Sequence, residues 1–167
     1  HGADGRWLGR RASNRNITAR VRAEEANRNL VTHSLQGLVI FQDGLLVFAN
    51  PTASEMTGYS MDELLLWRAD DMISRIHEDD RAFVWTRFQD RVTGQAVPHH
   101  YGFRFMRKDG DVRHWEIFST LFDYRGRPAI HVAVLDVTER HEAEEAKERA
   151  LADLQESEAR FRRRSAE

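Results

Sequence analysis

Eight histidines and no cysteine set the chemistry open to this chain of 167 residues. Without thiols there is no disulfide, no thiolate nucleophile, no cysteine-ligated metal and no cysteinyl link to a chromophore. A nucleophile would need a Ser-His or Lys arrangement, and neither a nucleophile elbow nor a glycine-rich phosphate loop occurs. His77 precedes Glu78-Asp79-Asp80 and reads as the capped start of a helix. His99 and His100 are neighbours in a strand-like stretch, so they face opposite ways and cannot chelate one ion together. His141-Glu142 opens a charged helix, where a solvated histidine is the plain reading. These patterns point away from catalysis and from a metal site.

The elements that must position these residues follow from turn and cap signals. Leu38 to Phe41 and Leu45 to Phe48 flank Asp43-Gly44, a dipeptide that supplies the positive φ angles of a tight hairpin. Asn50-Pro51 caps a short helix that Gly58 stops, and Ser60 with Glu63 forms a capping box for another. Glu78-Asp79-Asp80 put negative charge on the first turn of a longer helix, whose buried side holds Phe83, Val84, Phe88 and Val92 up to Gly94. Tyr101, Phe103 and Phe105 then alternate with Gly102, Arg104 and Met106, and Asp109-Gly110 turns into a strand from Trp115 to Phe122. A turn at Arg125-Gly126 leads to a last strand, Ala129 to Val137. Up to Leu135 it is apolar on both faces apart from His131, so its outer face also needs a cover. These elements make an α+β fold: a five-stranded antiparallel sheet with short helices and one longer helix on one face.

The strand-to-helix ending occurs twice. Asn16 to Arg20 leads into Val21-Arg22-Ala23-Glu24-Glu25-Ala26, and Asp136 to Arg140 leads into His141-Glu142-Ala143-Glu144-Glu145-Ala146. A repeat 120 positions long is a whole small domain rather than one unit of a solenoid. The expected organisation is therefore a closing strand of a preceding module at 1–17, a connector helix at 18–35, a complete domain at 36–138 and a C-terminal connector helix at 139–167. The first connector carries Ala19, Ala23, Ala26 and Leu30 on one face, with Val31 and Leu35 flanking it. That stripe suits either a solvated connector or a dimerising signalling helix. A formal charge of −2, with basic and acidic residues interleaved, argues against nucleic acid as a partner, and no apolar run is long enough to span a membrane.

Five motifs in this order resemble the PAS family over residues about 36 to 140. They are Gly58-Tyr59-Ser60 with Asp62-Glu63-Leu64 after the Asn50-Pro51 helix; His77 to Arg81; Lys108-Asp109-Gly110; Trp115; and Asp136-Val137-Thr138-Glu139-Arg140. Glu78 stands where the family more often has proline, and Val137 where it has isoleucine. The resemblance extends outward, since Ser157 to Arg162 is similar to the opening of a following module. It implies the PAS fold and a non-catalytic sensory and dimerisation module of a cytoplasmic, multidomain signalling protein. The parent it implies is a sensor histidine kinase; a diguanylate cyclase or phosphodiesterase is the alternative, and a ligand-free protein-protein interaction module is a third reading. Expected partners are a second copy of the chain, adjacent PAS modules and a downstream effector domain, with no nucleic acid and no membrane contact by this stretch.

The resemblance also narrows the cofactor. Flavin photosensors of the family form their adduct from an Asn-Cys-Arg helix, which is missing here, and haem-binding members take a histidine from the long helix, where Arg81 to Val92 has none. The Arg-Thr-Pro that resembling kinases place beyond a phospho-acceptor histidine is absent after His141. What remains is an interior between the long helix and the sheet. There Phe83, Val84, Trp85 and Phe88 are expected to face Phe103, Phe105, Trp115 and Ile117, with Glu116 or His131 as a polar group within reach. These aromatics either fill the core or line a small-ligand pocket formed by Val84, Phe88, Phe103, Phe105, Trp115 and Glu116. A homodimer is expected through the 19–35 helix and the outer sheet face around His131, Ala133 and Leu135, because each of these surfaces needs a cover.

Overall fold

A computed structural model describes residues 9–166, with side chains from residue 16 onward. A long helix α1 (Gly9–Thr32) precedes the hairpin β1 (Gly37–Gln42) and β2 (Leu45–Ala49). Three short helices follow, α2 (Pro51–Thr57), α3 (Met61–Leu64) and α4 (Ala69–Ser74), and then the longer α5 (Glu78–Val92). The strands β3 (His100–Met106), β4 (Val112–Tyr124) and β5 (Arg127–Asp136) lead into α6 (Thr138–Ser165). The five strands form one sheet in the order β2-β1-β5-β4-β3, and every pair is antiparallel.

The turns behave as their residues require. Asp43 and Gly44 both have positive φ, 52° and 74°, as do Arg125 and Gly126, 55° and 82°. Two consecutive left-handed residues match the right-handed twist of the strands they join, so both hairpins close tightly. The caps also hold. Ser60 accepts from the Glu63 amide at 3.2 Å while Glu63 accepts from the Ser60 amide at 2.8 Å. Glu63 then takes a second bond from Lys108 Nζ at 2.6 Å, which ties α3 to the β3–β4 turn.

Register separates the two faces of the sheet. Trp115 lies opposite Phe103, Ile117 opposite Tyr101 and Val134, and Ile130 opposite Phe41. These residues face the helices and form the core with Leu64, Ile76 and Val84. The other face carries Leu38, Ile40, Glu116, Phe118, Thr120, His131, Ala133 and Leu135. There Phe118 is 54% exposed and Leu135 39%.

One expectation is corrected. The closing strand placed at 1–17 is not a strand where it can be seen, because residues 9–17 form the first turns of α1; residues 1–8 lie outside the described residues. The segment Arg11-Ala12-Ser13-Asn14-Arg15-Asn16 carries polar and small residues that a strand would leave with unpaired edges. A helix satisfies its backbone internally.

The Asn50 side chain ties the end of α1 to the domain. Asn50 is 1% exposed; its Oδ1 accepts from the amides of Leu38 at 2.8 Å and Ala53 at 3.0 Å. Its Nδ2 donates to the carbonyls of Val31 at 2.9 Å and Gln36 at 3.0 Å. All of its hydrogen-bonding capacity is used, so it caps α2 and at the same time fixes the path from α1 into β1. Gly37 allows the close approach this needs, since a Cβ there would sit 3.0 Å from Met56 Sδ and 3.3 Å from Ala53 Cα.

Candidate functional site

Two regions hold the chemistry-bearing side chains: the aromatic interior and the joint where the sheet runs into α6. In the interior, Phe105 and Trp115 stack with ring centroids 3.8 Å apart and planes within 10°. Phe103 meets Trp115 edge-on at 6.3 Å. Val84 is 2% exposed, and Phe105 and Trp115 are buried beside it. Phe88 packs edge-on against Phe41 at 5.7 Å. It also borders a cleft of about 340 Å³ with Phe41, Val92, Leu121 and Ile130, at the end of α5 between the two hairpin turns. The Trp115 indole N–H is buried and has no acceptor among the described residues.

Not every expected interior residue is inside. Phe83 is 43% exposed and packs edge-on against Tyr101 at 5.5 Å at the margin of the helix layer. Trp85 stacks on Phe88 at 5.9 Å and borders a surface cleft with Ile73 and Arg81. Glu116 and His131 are on the other face of the sheet, opposite Leu135 and Ile40 respectively. The reason is parity: each sits one residue from a core position, and alternate strand residues point to opposite faces. Glu116 therefore lines no interior pocket. It pairs with Arg140 at the root of α6 and with His100 Nε2 at 3.2 Å. Burial alone pushes His131 below the ordinary histidine value.

His77, His99 and His100 have structural partners. His77 caps α5, its Nδ1 accepting from the Asp79 amide at 3.3 Å. His99 and His100 diverge as their adjacency demands: His99 Nδ1 lies 3.0 Å from the Ser119 carbonyl, and His100 stacks on Phe118 at 4.5 Å. Arg91 was not singled out in the sequence, yet it is 5% exposed. It holds the α5–β3 loop by donating to the Pro98 carbonyl at 2.5 Å, with His99 Nδ1 3.2 Å away.

The joint is a network around Asp136. Its carboxylate accepts from Arg113 Nε at 2.9 Å and from the amide of Thr138 at 3.0 Å, and the Thr138 hydroxyl donates to it as well. Burial would raise the Asp136 pKa, but the Thr138 bonds and Arg113 outweigh it and hold the carboxyl below its ordinary value. Thr138 Oγ1 in turn accepts from the His114 amide at 2.9 Å, and the Val137 amide donates to the His114 carbonyl at 2.8 Å. The His114 and His141 rings stack 3.9 Å apart, within 11° of parallel. The Asp-Val-Thr run was legible as a motif; the part played by His114 was not, because it pairs across 27 residues of chain with nothing local to mark it.

Comparison with known proteins bears on this geometry. A family model described as the PAS fold matches residues 46–135. No curated protein matches the sequence. Among solved structures, the chain is similar to a sensory box histidine kinase/response regulator from Burkholderia thailandensis, with 22% identity, a TM-score of 0.59 and coverage of 77% of this chain and 97% of that one. It is similar to the PAS domain of an HTR-like protein from Haloarcula marismortui, with 17% identity, a TM-score of 0.58 and coverage of 74% and 98%. It also resembles the N-terminal domain of a diguanylate cyclase with PAS/PAC sensor from Marinobacter aquaeolei, with 17% identity, a TM-score of 0.53 and coverage of 64% and 98%.

Proposed function

The chain belongs to the PAS family, and on that premise we propose that it is a non-catalytic sensory and dimerisation module of a multidomain signalling protein, relaying changes in the sheet to α6. The observation that carries this reading is the continuous bonding from Arg113 through Asp136 and Thr138 to the His114 backbone, which makes the first turn of α6 part of the sheet's hydrogen-bonded frame. Repacking around Trp115, directly opposite Asp136 in the ladder, then changes how α6 leaves the domain. The parent we propose is a cytoplasmic sensor histidine kinase, with a diguanylate cyclase as the alternative. Similarity to proteins of both kinds supports a signalling parent and leaves the choice to the effector sequence. Among the described residues no helix is long and apolar enough to cross a membrane.

Dimerisation is proposed through the outer sheet face and α1. Phe118 and Leu135 present apolar surface there, and Ile17, Val21 and Leu30 on α1 are also exposed, Leu30 by 72%. Light scattering of the whole chain and of one lacking residues 1–35 tests this. A dimer lost on truncation supports the contact, whereas a monomeric mass at tens of micromolar overturns it.

A second reading, small-molecule sensing, is favoured by one observation, the buried Trp115 N–H that finds no acceptor among the described residues beside the aromatic interior. A ligand carbonyl or hydroxyl would satisfy it. Native mass spectrometry of the purified chain checks this: co-purifying mass that Trp115→Phe abolishes supports a ligand, and mass of the bare polypeptide counts against one.

A further inference from the structure

The stack at the root of α6 has a consequence that relay alone does not require. His114 on β4 and His141 on α6 lie face to face at 3.9 Å, and this contact, with the Glu116–Arg140 pair, holds the first turns of α6 against the outer sheet face. Beyond it α6 runs exposed to Ser165. Neutral imidazoles stack without penalty. Two imidazolium rings at that distance repel, an effect that water screens in part because the His141 side chain is 40% exposed.

We propose that the His114–His141 stack is a proton-sensitive latch: α6 stays on the sheet while at most one ring is charged, and when both are it lets go from His141 onward, beyond the Thr138 anchor. The surroundings favour a sharp response. The rings border a cleft of about 480 Å³ into which Arg104 of β3, Asp80 of α5, Glu116 of β4 and Glu145 of α6 also face. Arg104 adds positive charge near the stack, and Asp80, which accepts bonds from it at 2.8 Å and 3.0 Å, is shared between that guanidinium and the His114 ring. Glu145 has an oxygen 3.6 Å from His141 Nδ1, and Arg140 is engaged with Glu116.

Burial and the neighbouring His141 both lower the His114 pKa from its ordinary 6.5, with Arg104 acting in the same direction and Glu145 and Asp80 against. The released state binds the extra proton more readily, so latching is complete above pH 6.5 and weakens as pH falls below it. The loss ends once pH drops under the lowered value of the docked ring, and the docked-to-released ratio falls by at most about tenfold per pH unit in that window. The inference uses the relay reading only for its consequence, since the latch itself is a property of docking.

Because the chain has no cysteine, labels can be placed without background. Nitroxides at Gln95→Cys and Glu148→Cys, both exposed, report the position of α6 by pulsed electron resonance. The expected result is one narrow distance distribution at pH 7.5 that broadens reversibly by pH 5.5, with broadening lost in His114→Gln and retained in His33→Gln. An unchanged distribution across this range, or broadening that survives in His114→Gln, overturns the latch. If His114→Gln broadens the distribution at every pH, proton NMR of the native imidazoles decides: a ring titrating below 6.5 in step with the broadening supports the latch, and one titrating at or above 6.5 overturns it. None of these readouts involves an effector, so a failed relay and a failed latch give different results.

Discussion

At the scale of single residues, two side chains carry more than their type suggests. Trp115 is stacked on Phe105 at 3.8 Å in the middle of the core, so Trp115→Ala removes about 3–5 kcal/mol of stability by the usual large-to-small cost. A melting shift of only a degree or two would show that the stack is not part of a close-packed interior. Asn50 is the opposite case, a polar residue at 1% exposure whose value lies in four hydrogen bonds. Asn50→Ala is expected to cost about 2–4 kcal/mol, the loss of a cap plus the stranding of backbone groups at both helix ends. Chemical denaturation measures it, and the amides of Leu38 and Ala53 should lose hydrogen-exchange protection before the rest of the sheet. Asn50-Pro51 is recognisable as a cap from the sequence alone. Its bonds to Val31 and Gln36 are not, because those carbonyls reach it only when α1 returns to the sheet.

At the scale of elements, charged joints hold the layers in register. Asp80 in the first turns of α5 accepts from the backbone and guanidinium of Arg104 on β3, and Arg104 holds its carboxyl below the ordinary value of 3.8. Asp136 is lowered as well, by Thr138 and Arg113 against the opposing effect of burial. For a carboxylate with a depressed native pKa the unfolded chain binds the proton more readily. The stabilisation is therefore fully present above 3.8 and is lost as pH falls below it toward the native values. Denaturation midpoints should be flat from this pair's contribution above pH 5 and should fall below about pH 4. Asp80→Asn and Asp136→Asn should each flatten that acid limb, and an unchanged limb in both variants would show that these joints do not set it. The acidic run at 78–80 was legible as helix-start charge; the pairing of Asp80 with Arg104 needed the crossing of α5 over β3.

At the scale of the whole molecule, the sheet offers one face to its helices and leaves the other with Phe118 and Leu135 exposed, while α1 leaves Leu30 exposed too. A second copy covering these surfaces would bring two α6 helices side by side at the exit of the domain, the geometry in which a small change at the sheet becomes a change in helix pairing. Cofactor content belongs to this scale as well. With no cysteine for an adduct and no histidine within α5, the purified protein is expected to show neither a haem Soret band nor a flavin absorbance after gel filtration. Either band would assign the aromatic interior to a cofactor.

By itself the sequence determined the order of elements from β1 to α6 apart from α4, the left-handed turn at Asp43-Gly44, the place of the turn at Arg125-Gly126, the capping box at Ser60 and Glu63, and the core positions of Val84, Phe105 and Trp115. All of these follow from signals a few residues long, where local sterics and alternation dominate. Residues 9–17 went the other way: likeness to a later strand suggested β structure, and the chain is helical there because a lone strand has no ladder to join. Only the tertiary structure decided which face Glu116 occupies, and which of the two places read for His131, interior or outer face, is the true one, since a shift of one residue in register reverses every side chain of a strand. It alone brought His114 against His141 and Arg104 against Asp80. Those contacts depend on where a helix begins relative to a strand many residues away, a distance set by the packing of the core and written in no local pattern.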